Sequence, residues 1–169
     1  MAELTQALRE EHQMLLRDIE KILVVADGVG ELTPNQLQRD IDKIYDFLAH
    51  RLILHGEAEE DVLYPAIGRA LGTPQATITM SRDHAEVSRL TEQLRNLQAR
   101  ILKPDFDSFS AKELRRTLYG LYSTLTLHLA KEEEIYLPIL DNYLNEAEAH
   151  ELCHRIAEIG HSEPSHLGH

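Results

Sequence analysis

The chain has 169 residues, of which 17 are Lys or Arg and 29 are Asp or Glu, for a formal charge of −12 with no basic cluster. That length suits one domain with a sizeable core, and the acidic balance argues against nucleic acid and anionic membrane surfaces as partners. A single cysteine, Cys153, excludes an intramolecular disulfide, and ten histidines are the one compositional pointer to metal.

Glycines and prolines concentrate at Gly28 to Pro34, Gly72 to Pro74 and Pro104 to Ser110, which cuts the chain into four long segments and a tail. Each segment carries helical periodicity. The first runs through His12, Leu15, Leu16, Ile19, Ile22, Leu23 and Ala26 and ends at Gly28 and Gly30. The second opens at Thr33-Pro34-Asn35-Gln36, a capping box with proline at the first helical position, and continues through Ile41, Ile44, Leu48, Leu52, His55, Glu59, Val62 and Ala66.

A third segment starts near Thr73-Pro74 and turns Met80, His84, Val87, Thr91, Leu94 and Ile101 inward. The fourth is expected to open at Ser110, with Glu113 completing a capping box, and to bury Leu114, Leu118, Leu121, Leu125, His128, Glu132, Ile135 and Ile139. A short helix from Asn145 to about Gly160 should follow, capped by Asn145 and Glu148. Pro65 and Pro138 are expected to kink or end their helices. The fold class this predicts is all-α, an antiparallel up-down four-helix bundle over residues 1–145, with a short C-terminal helix and His-rich tail over 146–169. No signal pattern opens the chain and no apolar run reaches the roughly 18 residues of a membrane span, so the expected setting is cytoplasmic.

An internal repeat carries the chemistry. HGEAEEDVLYP at 55–65 recurs as HLAKEEEIYLP at 128–138, and a lone histidine, His12 or His84, stands at nearly the same distance ahead of each copy. Residues four apart on a helix lie about 40° apart around the axis and about 6 Å along it, so His55 pairs with Glu59 and His128 with Glu132 on one face. Both pairs fall in apolar stripes, where a buried carboxylate needs a counter-charge that a bound cation supplies. Four imidazoles and two carboxylates suit iron, manganese or zinc. They also exceed one ion's needs, which points to two ions bridged by Glu59 and Glu132, with His12 and His55 on one, His84 and His128 on the other, and a further bridging oxygen from water.

These residues resemble the hemerythrin-like, or HHE cation-binding, domain family over about residues 8 to 140. The resemblance implies an up-down four-helix bundle around two iron ions, carboxylate- and oxo- or hydroxo-bridged, with His12, His55, Glu59, His84, His128 and Glu132 as metal ligands. It also implies a small oxidant as partner: oxygen, hydrogen peroxide or nitric oxide, with catalase-like or peroxidase-like turnover among the family's activities. The alternative is an iron- or oxygen-sensing or iron-storage module without turnover.

The chain departs from the oxygen carriers of that family in two places. They hold a second histidine one turn from the third-helix histidine, where Met80 and Ser88 stand here, and their last carboxylate falls at the position of Glu133. The missing histidine leaves the two ions more symmetric and more open, which favours peroxide or nitric oxide chemistry or iron sensing over reversible oxygen carriage. Glu57, Glu60, Asp61, Glu133 and Glu134 are expected on solvated faces, with Glu133 the alternative to Glu132 as ligand. Tyr45, Tyr64, Tyr122 and Tyr136 are expected as packing or interface residues, with a tyrosine reaching the metal as hydrogen-bond donor or ligand as the alternative, and His50 as a surface residue. The tail histidines His150, His154, His161, His166 and His169, beside Cys153, match no strong zinc spacing.

Overall fold

A computed structural model describes residues 4–160, and every regular element among them is helical. Helix α1 spans Gln6–Gly28. Helix α2 runs over 34–71 as three α-helical pieces, Pro34–Phe47, Ile53–Ala58 and Tyr64–Leu71, joined by π-helical turns at Leu48–Leu52 and Glu59–Leu63. After a 3-10 turn at Pro74–Thr77 comes α3, Ile78–Gln98. Helix α4 covers 108–143, with Ser108–Lys131 and Leu137–Tyr143 joined by a π turn at Glu132–Tyr136, and α5 spans Glu146–Gly160.

The cap chemistry is local and specific. Thr33 accepts from the Gln36 amide while the Gln36 side chain accepts from the Thr33 amide, and Asn145 with Glu148 repeats the exchange at α5. Helix α4 starts earlier than the Ser110–Glu113 pattern suggests. The Asp107 carboxylate takes both the Ser110 amide and its hydroxyl, so Asp107 is the N-cap and Ser110 lies buried inside the first turn.

Neither Pro65 nor Pro138 ends its helix. Each sits second in the α-helical piece that follows a π turn, where Tyr64 donates its amide to the Glu59 carbonyl and Leu137 to that of Glu132. The wider turn carries one extra residue and shifts the inward face after it. The consequence is plain in α4: Ile135 is 51% exposed, and Leu137 and Leu140 are buried where Ile139 was expected to lead.

Two apolar clusters sit on either side of the polar residues. The larger joins Leu15, Ile19, Ile22, Ile41, Leu48, Leu94, Leu114, Leu118 and Leu121 from α1 to α4. The smaller gathers Leu8, Ala58, Leu63, Ile67, Met80, Leu137 and Leu140, and α5 closes it with Leu152 and Ile156. No described helix is long and apolar enough to cross a membrane.

Candidate metal centre

The six residues picked out by the repeat come together between the two apolar clusters. His12 of α1, His55 and Glu59 of α2, and His128 and Glu132 of α4 are almost wholly buried, and His84 of α3 is 20% exposed at its side chain. Helix α2 passes so close to α3 that a Cβ at Gly56 would stand 3.3 Å from His84 Nε2, so this position favours glycine.

The donor atoms form two groups. In one, His55 Nε2 lies 2.7 Å and His12 Nε2 3.6 Å from Glu59 Oε1, with His12 Nε2 3.4 Å from Glu132 Oε2. In the other, His84 Nε2 is 3.0 Å from both Glu59 Oε2 and His128 Nε2, and His128 Nε2 is 3.2 Å from Glu132 Oε1. Each carboxylate therefore turns one oxygen to each group. The atoms of the sets His12, His55, Glu59, Glu132 and Glu59, His84, His128 lie within 4.8 Å of one another, close enough for one cation to contact each set.

A test of fit comes from hydrogen bonding. Buried polar atoms are almost always paired, yet His12 Nε2, His55 Nε2, Glu59 Oε1 and Glu132 Oε2 are buried without a hydrogen-bond partner. All four belong to the first group and converge on one point, which is the arrangement a cation would complete.

Three assignments change. Tyr64, expected first as a packing or interface residue, takes the alternative place at the centre, with its hydroxyl 3.0 Å from Glu132 Oε1, 3.2 Å from His84 Nε2 and 3.3 Å from His128 Nε2. In a continuous α-helix it would point away from His55, and the π turn beginning at Glu59 brings it in. Its counterpart in the second copy of the repeat is Leu137, so the two halves are less symmetric than the missing histidine implies. Glu133 and Glu60 are not merely solvated: Glu133 Oε1 lies 2.7 Å from His12 Nδ1, and Glu60 Oε1 lies 2.8 Å from His84 Nδ1. Glu132 occupies the centre, and Glu133 stands on the outer side of His12. His50 is 63% exposed, as expected of a surface residue.

A cavity of about 140 Å³ opens beside the second group. Leu52, Val87, Leu125 and Leu129 line it with apolar side chains, His55, Glu59, His84 and His128 of the centre line it too, and Ser88 lies one turn beyond His84. Met80, the other position one turn from His84, is buried in the smaller apolar cluster. His150 and His154 stack with ring centres 6.4 Å apart on α5, away from the centre, and His161, His166 and His169 lie outside the described residues.

Burial opposes charge on His12 and His128, but the carboxylates outweigh it. Glu133, Glu59 and Glu132 carry His12 up to about 9, and Glu132 and Glu59 carry His128 up to about 10. Burial likewise works against the Glu59 carboxylate, which the neighbouring histidines hold well below its usual range, whereas burial and the Glu59 charge push Glu132 up. In the metal-free chain these raised histidines stabilise the fold fully below their ordinary value of 6.5, and that contribution is lost as pH rises through about 9 to 10. Thermal unfolding of metal-free protein should accordingly show Tm falling between pH 6.5 and 10. A Tm flat across that window would contradict the charge state derived for the two histidines.

A family model described as Hemerythrin HHE cation binding domain matches residues 3–140. No curated protein and no solved structure matches the chain.

Proposed function

We propose, for a chain that belongs to the hemerythrin HHE cation-binding family, that the His/Glu centre holds two iron ions and binds or turns over a small oxidant: oxygen, hydrogen peroxide or nitric oxide. The observation that carries this reading is the set of four buried, unpartnered donor atoms on residues whose carboxylates face two ways. His12 and His55 would hold one ion, His84 and His128 the other, with Glu59 and Glu132 shared between them. The four long helices are read as an antiparallel up-down bundle that brings one ligand-bearing face of each to this point.

Iron held by His12, His55, Glu59, His84, His128 and Glu132 would supply one-electron redox chemistry between its ferrous and ferric states. The chain's own residues do the rest. Four imidazoles and two carboxylates would fix the ions, and Leu52, Val87 and Leu125 give the cavity beside them an apolar wall suited to a small, uncharged molecule. Burial and the charges of Glu59 and Glu132 push the Tyr64 phenol up, so in the metal-free chain it stays a donor, aimed at Glu132. A tyrosine in that place, together with the absent histidine at Ser88, favours peroxide or nitric oxide handling in oxidative or nitrosative stress over reversible oxygen carriage. The expected location is the cytoplasm.

Anaerobic reduction of the iron-loaded protein, followed by separate exposure to oxygen, peroxide and nitric oxide, tests this by absorption spectroscopy. Peroxide or nitric oxide should change the spectrum most, and a spectrum that none of the three alters would sink the proposal. Tyr64→Phe should keep the iron but slow peroxide consumption by about 10- to 100-fold, the size typical of losing a hydrogen bond to a metal ligand. An unchanged rate would remove Tyr64 from the reaction.

A further inference from the structure

Each of the four central imidazoles has a second carboxylate at its outer nitrogen. Glu133 Oε1 lies 2.7 Å from His12 Nδ1, Glu11 Oε1 3.1 Å from His55 Nδ1, Glu60 Oε1 2.8 Å from His84 Nδ1 and Asp83 Oδ2 3.0 Å from His128 Nδ1. The pairing follows a rule. The acid just before each lone histidine, Glu11 or Asp83, serves the motif histidine of its own repeat, and the acid just after each motif glutamate, Glu60 or Glu133, serves the lone histidine of the other repeat. Four pairs related in this way are a built feature of the repeat and not a scatter of surface acids.

The outer partners differ in charge compensation. Glu133 also pairs with Arg9 at 2.9 Å, and Asp83 also pairs with Lys131. Glu60 receives the Ser81 hydroxyl at 2.9 Å, and among the described residues no ion pair from Lys or Arg reaches Glu60 or Glu11.

Resting on the two-ion reading above, we propose that Glu11, Glu60, Asp83 and Glu133 are an outer ring of positioning residues that sets the affinity and reduction potential of the centre, with Glu11 and Glu60 contributing most. A carboxylate accepting from Nδ1–H fixes the tautomer and turns the Nε2 lone pair inward. It also raises the ring's basicity, which holds cations more tightly and favours the more highly charged ferric state. Where Arg9 or Lys131 shares the carboxylate, less of that charge is felt at the ring; Glu11 and Glu60 have no such cation beside them among the described residues. The rings of His55 and His84 meet the centre from α2 and α3, next to the apolar cavity.

The test replaces one carboxylate at a time, Glu11→Gln, Glu60→Gln, Asp83→Asn and Glu133→Gln, which keeps size and an acceptor oxygen while removing charge. Zn²⁺ affinity, from competition with a chromophoric chelator, should fall by about 10- to 100-fold in each variant, most for Glu11→Gln and Glu60→Gln. The midpoint potential of the iron-loaded protein should rise in the same order. Far-ultraviolet circular dichroism monitors the fold, and Glu11→Asp and Glu60→Asp, which restore the charge, should recover both readouts in part. Zn²⁺ affinities within about twofold of the parent, with unmoved potentials, would overturn the proposal, and larger effects at Asp83 and Glu133 would overturn the order assigned within the ring. If the parent chain bound no metal, the two-ion reading itself would fall; if it bound two ions and the variants matched it, only the outer ring would.

Discussion

Replacing Glu59 by Ala should strip the protein of both metal ions, not one. Its carboxylate is 1% exposed and reaches both donor groups, Oε1 toward His12 and His55 and Oε2 toward His84 and His128. A histidine belongs to one group only, so His12→Ala should leave the second group able to hold its ion. Loss of a shared ligand should cost each ion more than the roughly 10- to 100-fold typical of an outer-shell change. Elemental analysis after dialysis against limiting iron should find less than one ion per chain in Glu59→Ala and about one in His12→Ala. Two ions retained in Glu59→Ala would show that Glu59 is not shared. Stability should fall too in the metal-free variant, because buried His12 and His55 lose the carboxylate that supports their charge.

The largest effect on stability alone should come from Leu118→Ala. Leu118 is fully buried in the main apolar cluster with Leu15, Ile22, Leu48 and Leu121, a full ten residues ahead of His128 along α4. Shortening its isobutyl side chain to a methyl leaves a cavity in a core drawn from four helices, at a cost of about 2 to 5 kcal/mol. For a domain of this size that lowers Tm by on the order of 5 to 15 °C. Denaturant unfolding of the metal-free protein measures it, and iron content at saturation should stay at the parent's value. A loss below about 1 kcal/mol would show that the helices collapse around the gap.

Most of the helical layout was legible in the spacing of apolar residues, since Ile41, Ile44, Leu48, Leu52, His55, Glu59, Val62 and Ala66 are all buried along one face of α2. What that spacing could not carry is the change of period inside a helix. The π turns at Glu59–Leu63 and Glu132–Tyr136 each add a residue, which turns Tyr64 into the centre and Ile135 out to solvent. The proline after each turn, Pro65 or Pro138, reads as a breaker by its chemistry, yet the preceding π turn lets the helix continue.

The outer carboxylates were missed for a different reason. Helical spacing compares residues on one helix, whereas Glu11 with His55 and Asp83 with His128 are contacts between helices. A signal was nevertheless present in the sequence. The pairs Glu11-His12 and Asp83-His84, and Glu59-Glu60 and Glu132-Glu133, recur in register with the repeat, so the repeating unit includes the flanking acids as well as the histidine and the HxxxE motif.

Diffraction from crystals of the iron-loaded protein, with anomalous data collected at the iron edge, tests the central claim most directly. Two anomalous peaks are expected per chain, one among His12, His55, Glu59 and Glu132 and the other among Glu59, His84 and His128. A single peak, or iron bound anywhere else on the chain, would contradict it.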